Sequence, residues 1–252
     1  MAKHIDLNCD MGESYGAWKM GQDEALLDFV TSANIACGYH AGDPATMQRT
    51  VQCAVAKGVA LGAHPSLPDL QGFGRRTMAI SPEEARGLTL YQMGALDAFA
   101  RAAGSRLRHV KAHGALYNMV SRDAALADGV AGAVAALRAD PPILVALAGS
   151  ALAEAGLRRG LEVSREAFAD RAYAPDGSLA PRSLPGAVIR EPELAAEQAV
   201  RLARDGFVRA YDGREVRVGA DTLCVHGDSP GAVAMARLIR ERLGLAGIAV
   251  RR

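Results

Sequence analysis

The chain has 252 residues, half of them hydrophobic and only 5% aromatic, which suits one α/β barrel with a substantial core. Lys+Arg at 29 against Asp+Glu at 28 leave a formal charge of +1, so no whole-molecule field favours nucleic acid or an anionic membrane. The opening MAKHIDLN has no signal-peptide core and no apolar run reaches membrane-spanning length, so a cytoplasmic protein without a membrane partner is expected.

Strand one is predicted over His4–Cys9, followed by a loop with Gly12 and Gly16 and a helix over Asp23–Val30. Strand two is Ser32–Cys37; Asp43-Pro44 then opens a helix with the stripe Met47, Val51, Ala54, Val55, stopped by Gly58. Strand three, Val59–Ala63, leads into a long loop that contains GFGRR, and Ser81-Pro82-Glu83-Glu84 reads as a capping box. RHVKAHGALYN (Arg108–Asn118) begins as strand four and turns at Gly114; a helix over Ser121–Leu137 follows. Strand five is Pro142–Ala148, then a short helix to Arg159. Strand six is Leu161–Phe168, followed by a Pro/Gly-rich loop over 174–190 and a helix from Pro192 to Asp205. The polar segment Tyr211–Gly219 suits a small hairpin, Thr222–Val225 is strand seven, and Ser229-Pro230 opens the last helix, which ends at Gly244. Strands and helices thus alternate about seven times, which implies parallel pairing with right-handed crossovers. A single (β/α) barrel domain over 1–252 is expected rather than an open sheet, because polar residues end almost every strand. Cys9, Cys37 and Cys224 fall in predicted strands and Cys53 on a helix; with no CxxC pair, all read as reduced thiols.

Four of the six histidines, His40, His64, His113 and His226, sit at predicted strand exits. Lys111 and His113 share one strand face, and Asp6 and Asp10, four apart, share another. Asp10, His64 and His113 form a set drawn from three strands that suits a divalent metal with open positions. A metal-free reading stands beside it: Asp10 is the acid or base, and His113 and Lys111 polarise a carbonyl. His40 and Asp6 complete the catalytic candidates. Lys111 needs a carboxylate or an anionic substrate, with Asp6 or Glu166 as candidate partner. Arg75 and Arg76, after Gly72 and Gly74, read either as an anion clamp or as a solvated loop. Asn34, Asn118, Glu166, Asp170, Arg171 and His226 are further candidates for binding substrate. No GxxxxGK[ST] occurs, and the glycines around Ser14 are misplaced for a nucleophile elbow. HAGDP (His40–Pro44) and HGDSP (His226–Pro230) echo each other.

At DLNCDMGE, ANIACGYHAGDP, GAHPSLPD, GFGRR, VKAHGALYN and FADRAY the chain resembles the LamB/YcsF family, the bacterial 5-oxoprolinase A subunits, from about Ile5 to Asp228. The resemblance implies an irregular (β/α) barrel akin to the glycoside hydrolase/deacetylase superfamily. It also implies ATP-dependent opening of 5-oxo-L-proline, a small lactam, to L-glutamate, with ATP and Mg2+ and with partner subunits B and C. Barrel deacetylases of the YdjC kind bind metal through an Asp after strand one and two later histidines, an arrangement that Asp10, His64 and His113 match by position. The alternatives are a stand-alone metal-dependent deacetylase or amidohydrolase and a non-catalytic scaffold subunit.

Overall fold

Helix starts follow local capping chemistry. In the computed structural model, which describes residues 3–137, 140–227 and 231–252, α2 (Pro44–Ala56) has Asp43 as N-cap, its carboxylate accepting from Thr46 N at 2.8 Å. α3 (Pro82–Ala102) opens on a reciprocal capping box between Ser81 and Glu84. Each such cap contributes about 1 kcal/mol.

The strands are β1 (His4–Met11), β2 (Ser32–Ala36), β3 (Ala60–His64), β4 (Leu107–Lys111), β5 (Ile143–Leu147) and β6 (Val163–Phe168), then a pair β7 (Phe207–Arg209) and β8 (Glu215–Arg217), then β9 (Thr222–Val225) and β10 (Ala249–Val250). β1 to β6 pair in parallel in sequence order, and β9 pairs with both β6 and β1. Seven parallel strands therefore close a barrel. β10 pairs only with the first residues of β1, and β7–β8 form an antiparallel hairpin outside the barrel.

Period-two alternation divides β1 cleanly. Ile5, Leu7, Cys9 and Met11 are all at most 1% exposed and join the apolar core under the helices. Asp6, Asn8 and Asp10 take the opposite face and bond to residues of other barrel strands. The barrel interior is accordingly a polar column. His109 occupies its middle because Gly62 opposite has no side chain; a Cβ there would lie 2.0 Å from the imidazole.

Several boundaries differ from expectation. α1 is one turn, Asp23–Leu26, instead of reaching Val30. The helix expected over Ser121–Leu137 is α5 (Ala124–Ala135), which Asp123 caps through Ala125 N and Leu126 N, and a separate helix, α4 (Gly114–Arg122), precedes it where a turn was expected. Asn118 thus sits on a helix rather than in a turn. The hairpin strands begin earlier than Tyr211, and Cys37 lies just past β2. α6 (Ala151–Arg158) and α7 (Pro192–Asp205) follow expectation, and α8 (Ala232–Leu245) starts after Gly231. The expected Ser229-Pro230 helix start and Asp228 lie outside the described residues. Among the described residues no helix is long and apolar enough to cross a membrane, and the four cysteines are free.

Candidate active site

The C-terminal ends of β1, β3, β4 and β9 deliver polar side chains to one cleft of about 360 Å³, with Asp10, His64, Lys111, His113 and His226 in its wall. Its floor is an ion-pair chain. Lys111 Nζ lies 2.8 Å from Asp10 Oδ1 and 3.0 Å from Glu166 Oε1, and it donates to Cys224 Sγ at 3.0 Å. Tyr117 OH donates to the other Glu166 oxygen at 2.7 Å. Burial alone would lower the Lys111 ammonium, but Asp10, Cys224 and Glu166 hold its pKa well above the usual lysine value. Lys111 is therefore a fixed positive charge and not a base. Burial would raise Asp10, yet His64 and Lys111 hold its carboxyl well below the usual range, so it stays an ionised acceptor.

A second cluster stands beside this chain. His64 Nδ1 is 2.7 Å from Lys111 O, and His113 Nε2 is 2.9 Å from Phe73 O. Carbonyls only accept, so those ring nitrogens carry the protons. With both rings neutral, the remaining nitrogens, His64 Nε2 and His113 Nδ1, face each other as lone pairs 3.0 Å apart, whereas a proton on His64 Nε2 would turn to Asp10. Burial, then the neighbouring His64, pushes the His113 pKa well down, which keeps that ring neutral. Glu13 Oε1 lies 3.6 Å from His113 Nδ1 and 3.2 Å from His40 Nε2, while the His40 ring stacks on His113 at 3.8 Å. One ligand atom from each of Glu13, His40, His64 and His113 lies within 4.8 Å of the others. Two converging lone pairs, a carboxylate and imidazoles oriented by backbone carbonyls are what a divalent metal requires. The residues fit the ion.

The GFGRR loop builds this corner with a strained backbone. Phe73 holds φ at +55°, unusual for a non-glycine residue, and thereby offers its carbonyl to His113. A Cβ at Gly74 would come within 2.2 Å of Ser66 Oγ, and one at Gly114 within 2.5 Å of Gly74 O.

The expected residues do not all converge. Asp6 lies at the opposite end of the barrel, where it accepts from Thr31, Ser32 and Thr222 hydroxyls at 2.5–2.7 Å. It neither reaches the cleft nor pairs with Lys111; Glu166 is the partner. Asn34 is fully buried behind the cleft, donating to Asp10 at 2.9 Å and Asn8 at 2.7 Å and bonded to His109 at 2.8 Å. It orients Asp10 instead of facing a ligand. Arg76 pairs with Asp69, whose pKa falls to about 2 through that hydrogen bond, and points away from the cleft, as in the solvated-loop reading. Arg75 and Asn118 line the cavity. Glu166 is buried beneath it, and Asp170 is bound to His226. Arg171, only 6% exposed, donates to the carbonyls of Ala180 and Ala187 and lines the cavity. In the expected metal set, Asp10 groups instead with Cys224 and His226, and Glu13 and His40 stand where it was expected. Asp10 still lies 3.4 Å from His64 Nε2. The sequence reading missed Glu13, His109, Tyr117 and Arg182; the first three lie inside the quoted stretches DLNCDMGE and RHVKAHGALYN, whereas Arg182 lies in the Pro/Gly-rich loop with no motif to mark it.

Comparison with known proteins agrees with this architecture. A chain from Methylococcus capsulatus that is named as the A subunit of 5-oxoprolinase is 59% identical over 250 residues, covering 99% of this chain and 96% of that one. The crystal structure of a lactam utilization protein from Thermus thermophilus is 51% identical with a TM-score of 0.93, covering 98% and 99% of the two chains. A deacetylase described as T48 shares the fold alone, at 13% identity and a TM-score of 0.50 over 99% of this chain and 87% of that one. The LamB/YcsF family model matches residues 5–252, and the chain belongs to the LamB/YcsF family.

Proposed function

We propose that this protein is the A subunit of an ATP-dependent 5-oxoprolinase, which opens the ring of 5-oxo-L-proline to give L-glutamate. The observation that carries the reading is the cleft: Lys111, fixed between two carboxylates at its floor, with Arg75, Arg122, Arg171 and Arg182 around it. So many cations at one small cavity suit a small molecule with two anionic groups. A lactam carboxylate plus a phosphoryl group on the lactam oxygen meets that description. A lactam is a poor electrophile, and phosphorylation converts its oxygen into a good leaving group. The sequence has no phosphate-binding loop of the Walker type. Partner subunits B and C therefore bind ATP with Mg2+ and phosphorylate the lactam, and this barrel completes the opening.

Arg75 and Arg171, with Asn118, hold the substrate's anionic groups. Asp10, kept ionised by Lys111, orients the attacking water. Glu13, His40, His64 and His113 would hold a divalent metal, which would supply a Lewis acid for the attacked carbon's oxygen. The test is ATP-dependent glutamate release by the three-subunit mixture. Asp10→Asn and His113→Ala should each lower it by roughly 10²–10⁴; a smaller effect rules out a direct role. Turnover of an acetylated substrate without ATP would instead favour the deacetylase alternative, which the histidine cluster also suits.

A further inference from the structure

Two residues at the cleft, Asp170 and His226, form a hydrogen-bonded pair with no role in binding the lactam or the metal. Asp170 is 3% exposed and follows β6; His226 follows β9. His226 Nδ1 lies 2.8 and 3.0 Å from the two Asp170 oxygens, and the His226 backbone N–H also donates to Asp170. On the other side, Arg182 donates to His226 Nε2 at 3.0 Å. A guanidinium has no lone pair to offer. Nε2 must therefore be the acceptor, and the ring proton sits on Nδ1, against Asp170. This is an imidazole oriented by a buried carboxylate, with its Nε2 lone pair turned to the cavity and capped there by Arg182, the arrangement of a general acid–base group held in reserve. Burial would raise the Asp170 carboxyl, but His226 and its hydrogen bonds hold it below the usual value. Phe168 stacks on the imidazole with centroids 5.7 Å apart, fixing its plane.

Two features give this pair a specific task. An Asp10 oxygen and a His226 nitrogen lie within 4.8 Å of each other, so His226 reaches the space where Asp10 would hold water. Arg182, which covers Nε2, is exposed and comes from the loop after β6. Exposed and held at its tip by His226, it can turn toward an incoming anion.

We infer that His226 is the proton shuttle of ring opening, uncovered when Arg182 turns to the substrate's anionic group, with Asp170 as its positioning residue. The inference rests on the phosphorylated-lactam reading. In that species the ring carbon carries the phosphoryl oxygen and is doubly bonded to nitrogen. Water held by Asp10 adds across this bond: its hydroxyl goes to carbon, and its proton passes by way of the Asp10 carboxylate to nitrogen. The tetrahedral carbon then has two exits. If the carbon–oxygen bond to phosphate breaks, inorganic phosphate leaves and the lactam re-forms, so ATP is wasted. If the carbon–nitrogen bond breaks, its electron pair goes to nitrogen, and the hydroxyl proton follows through His226. That exit gives an acyl phosphate, which a second water hydrolyses to carboxylate and phosphate. An unprotonated nitrogen is a far poorer leaving group than phosphate, so proton delivery by His226 decides between the exits.

The experiment measures phosphate and glutamate together in the three-subunit mixture containing His226→Gln or Asp170→Asn. Glutamate release should fall by about 10² or more, as for a lost general acid–base group. Phosphate release should persist, so phosphate per glutamate rises at least tenfold above the wild-type ratio. Arg182→Ala should raise KM for 5-oxoproline and keep the wild-type ratio. Phosphate and glutamate falling together in both variants, each still co-purifying with its partners, would overturn the shuttle. A wild-type mixture that releases no glutamate with ATP would overturn the lactam reading and the shuttle with it.

Discussion

Lys111 shows how much one residue's environment decides. A buried ammonium is costly unless paired, and Asp10 and Glu166 both pair with it. The sequence showed that Lys111 needed a carboxylate but offered both Asp6 and Glu166. Asp6 and Asp10 share a face because their spacing is even. Four residues of strand, however, span about 13 Å, which places them at opposite ends of the barrel. Periodicity reports the face and not the depth. The neighbouring histidines yield a direct prediction. Titration with Zn2+ or Mn2+ before any ATP is added should show tight uptake of one ion, abolished by His64→Ala. Glu13→Ala should weaken uptake more than Asp10→Ala does; equal losses would return Asp10 to the ligand set. A second prediction concerns acid stability. The Asp170 pKa is lowered by folding, so its contribution is fully present above the unfolded value of about 3.9 and is lost as pH falls through the folded value. A melting-temperature series from pH 7 to 2 should therefore fall less steeply for Asp170→Asn than for wild type.

Elements were legible where local chemistry marks them. Asp43-Pro44 and the Ser81–Glu84 box start α2 and α3 where their side chains allow. The division of α4 from α5 was missed because Asp123 lies inside a run of helix formers, although it is itself a cap. β10 has two residues and no pattern to read. The interior of β3 was also opaque, since Gly62 means nothing until His109 is known to face it. Gly62→Ala should be among the costliest small substitutions in the barrel. The added methyl meets a buried imidazole, and overpacking of this kind costs about 1–3 kcal/mol. Displacing His109 would also release Asn34 and, through it, Asp10. Urea unfolding should show the loss of stability, and glutamate release should fall beyond it; full activity in the folded variant would show that the column does not position Asp10.

At the scale of the whole molecule, the barrel is closed and its cleft is built, yet the chemistry assigned to it begins with a phosphoryl group. The cleft offers arginines and a lysine that can hold such a group, but the sequence has no Walker loop to take it from ATP. A barrel that receives an activated substrate need bind only the activated species tightly. This chain alone should therefore bind ATP no better than other small phosphates. It should release no glutamate from 5-oxoproline and ATP until both partners are present. Isothermal titration with ATP and a coupled glutamate assay, each run on the isolated chain and on the mixture, check both statements. If the isolated chain released glutamate at the rate of the mixture, phosphoryl transfer would belong in this barrel, and its arginines would be holding ATP itself.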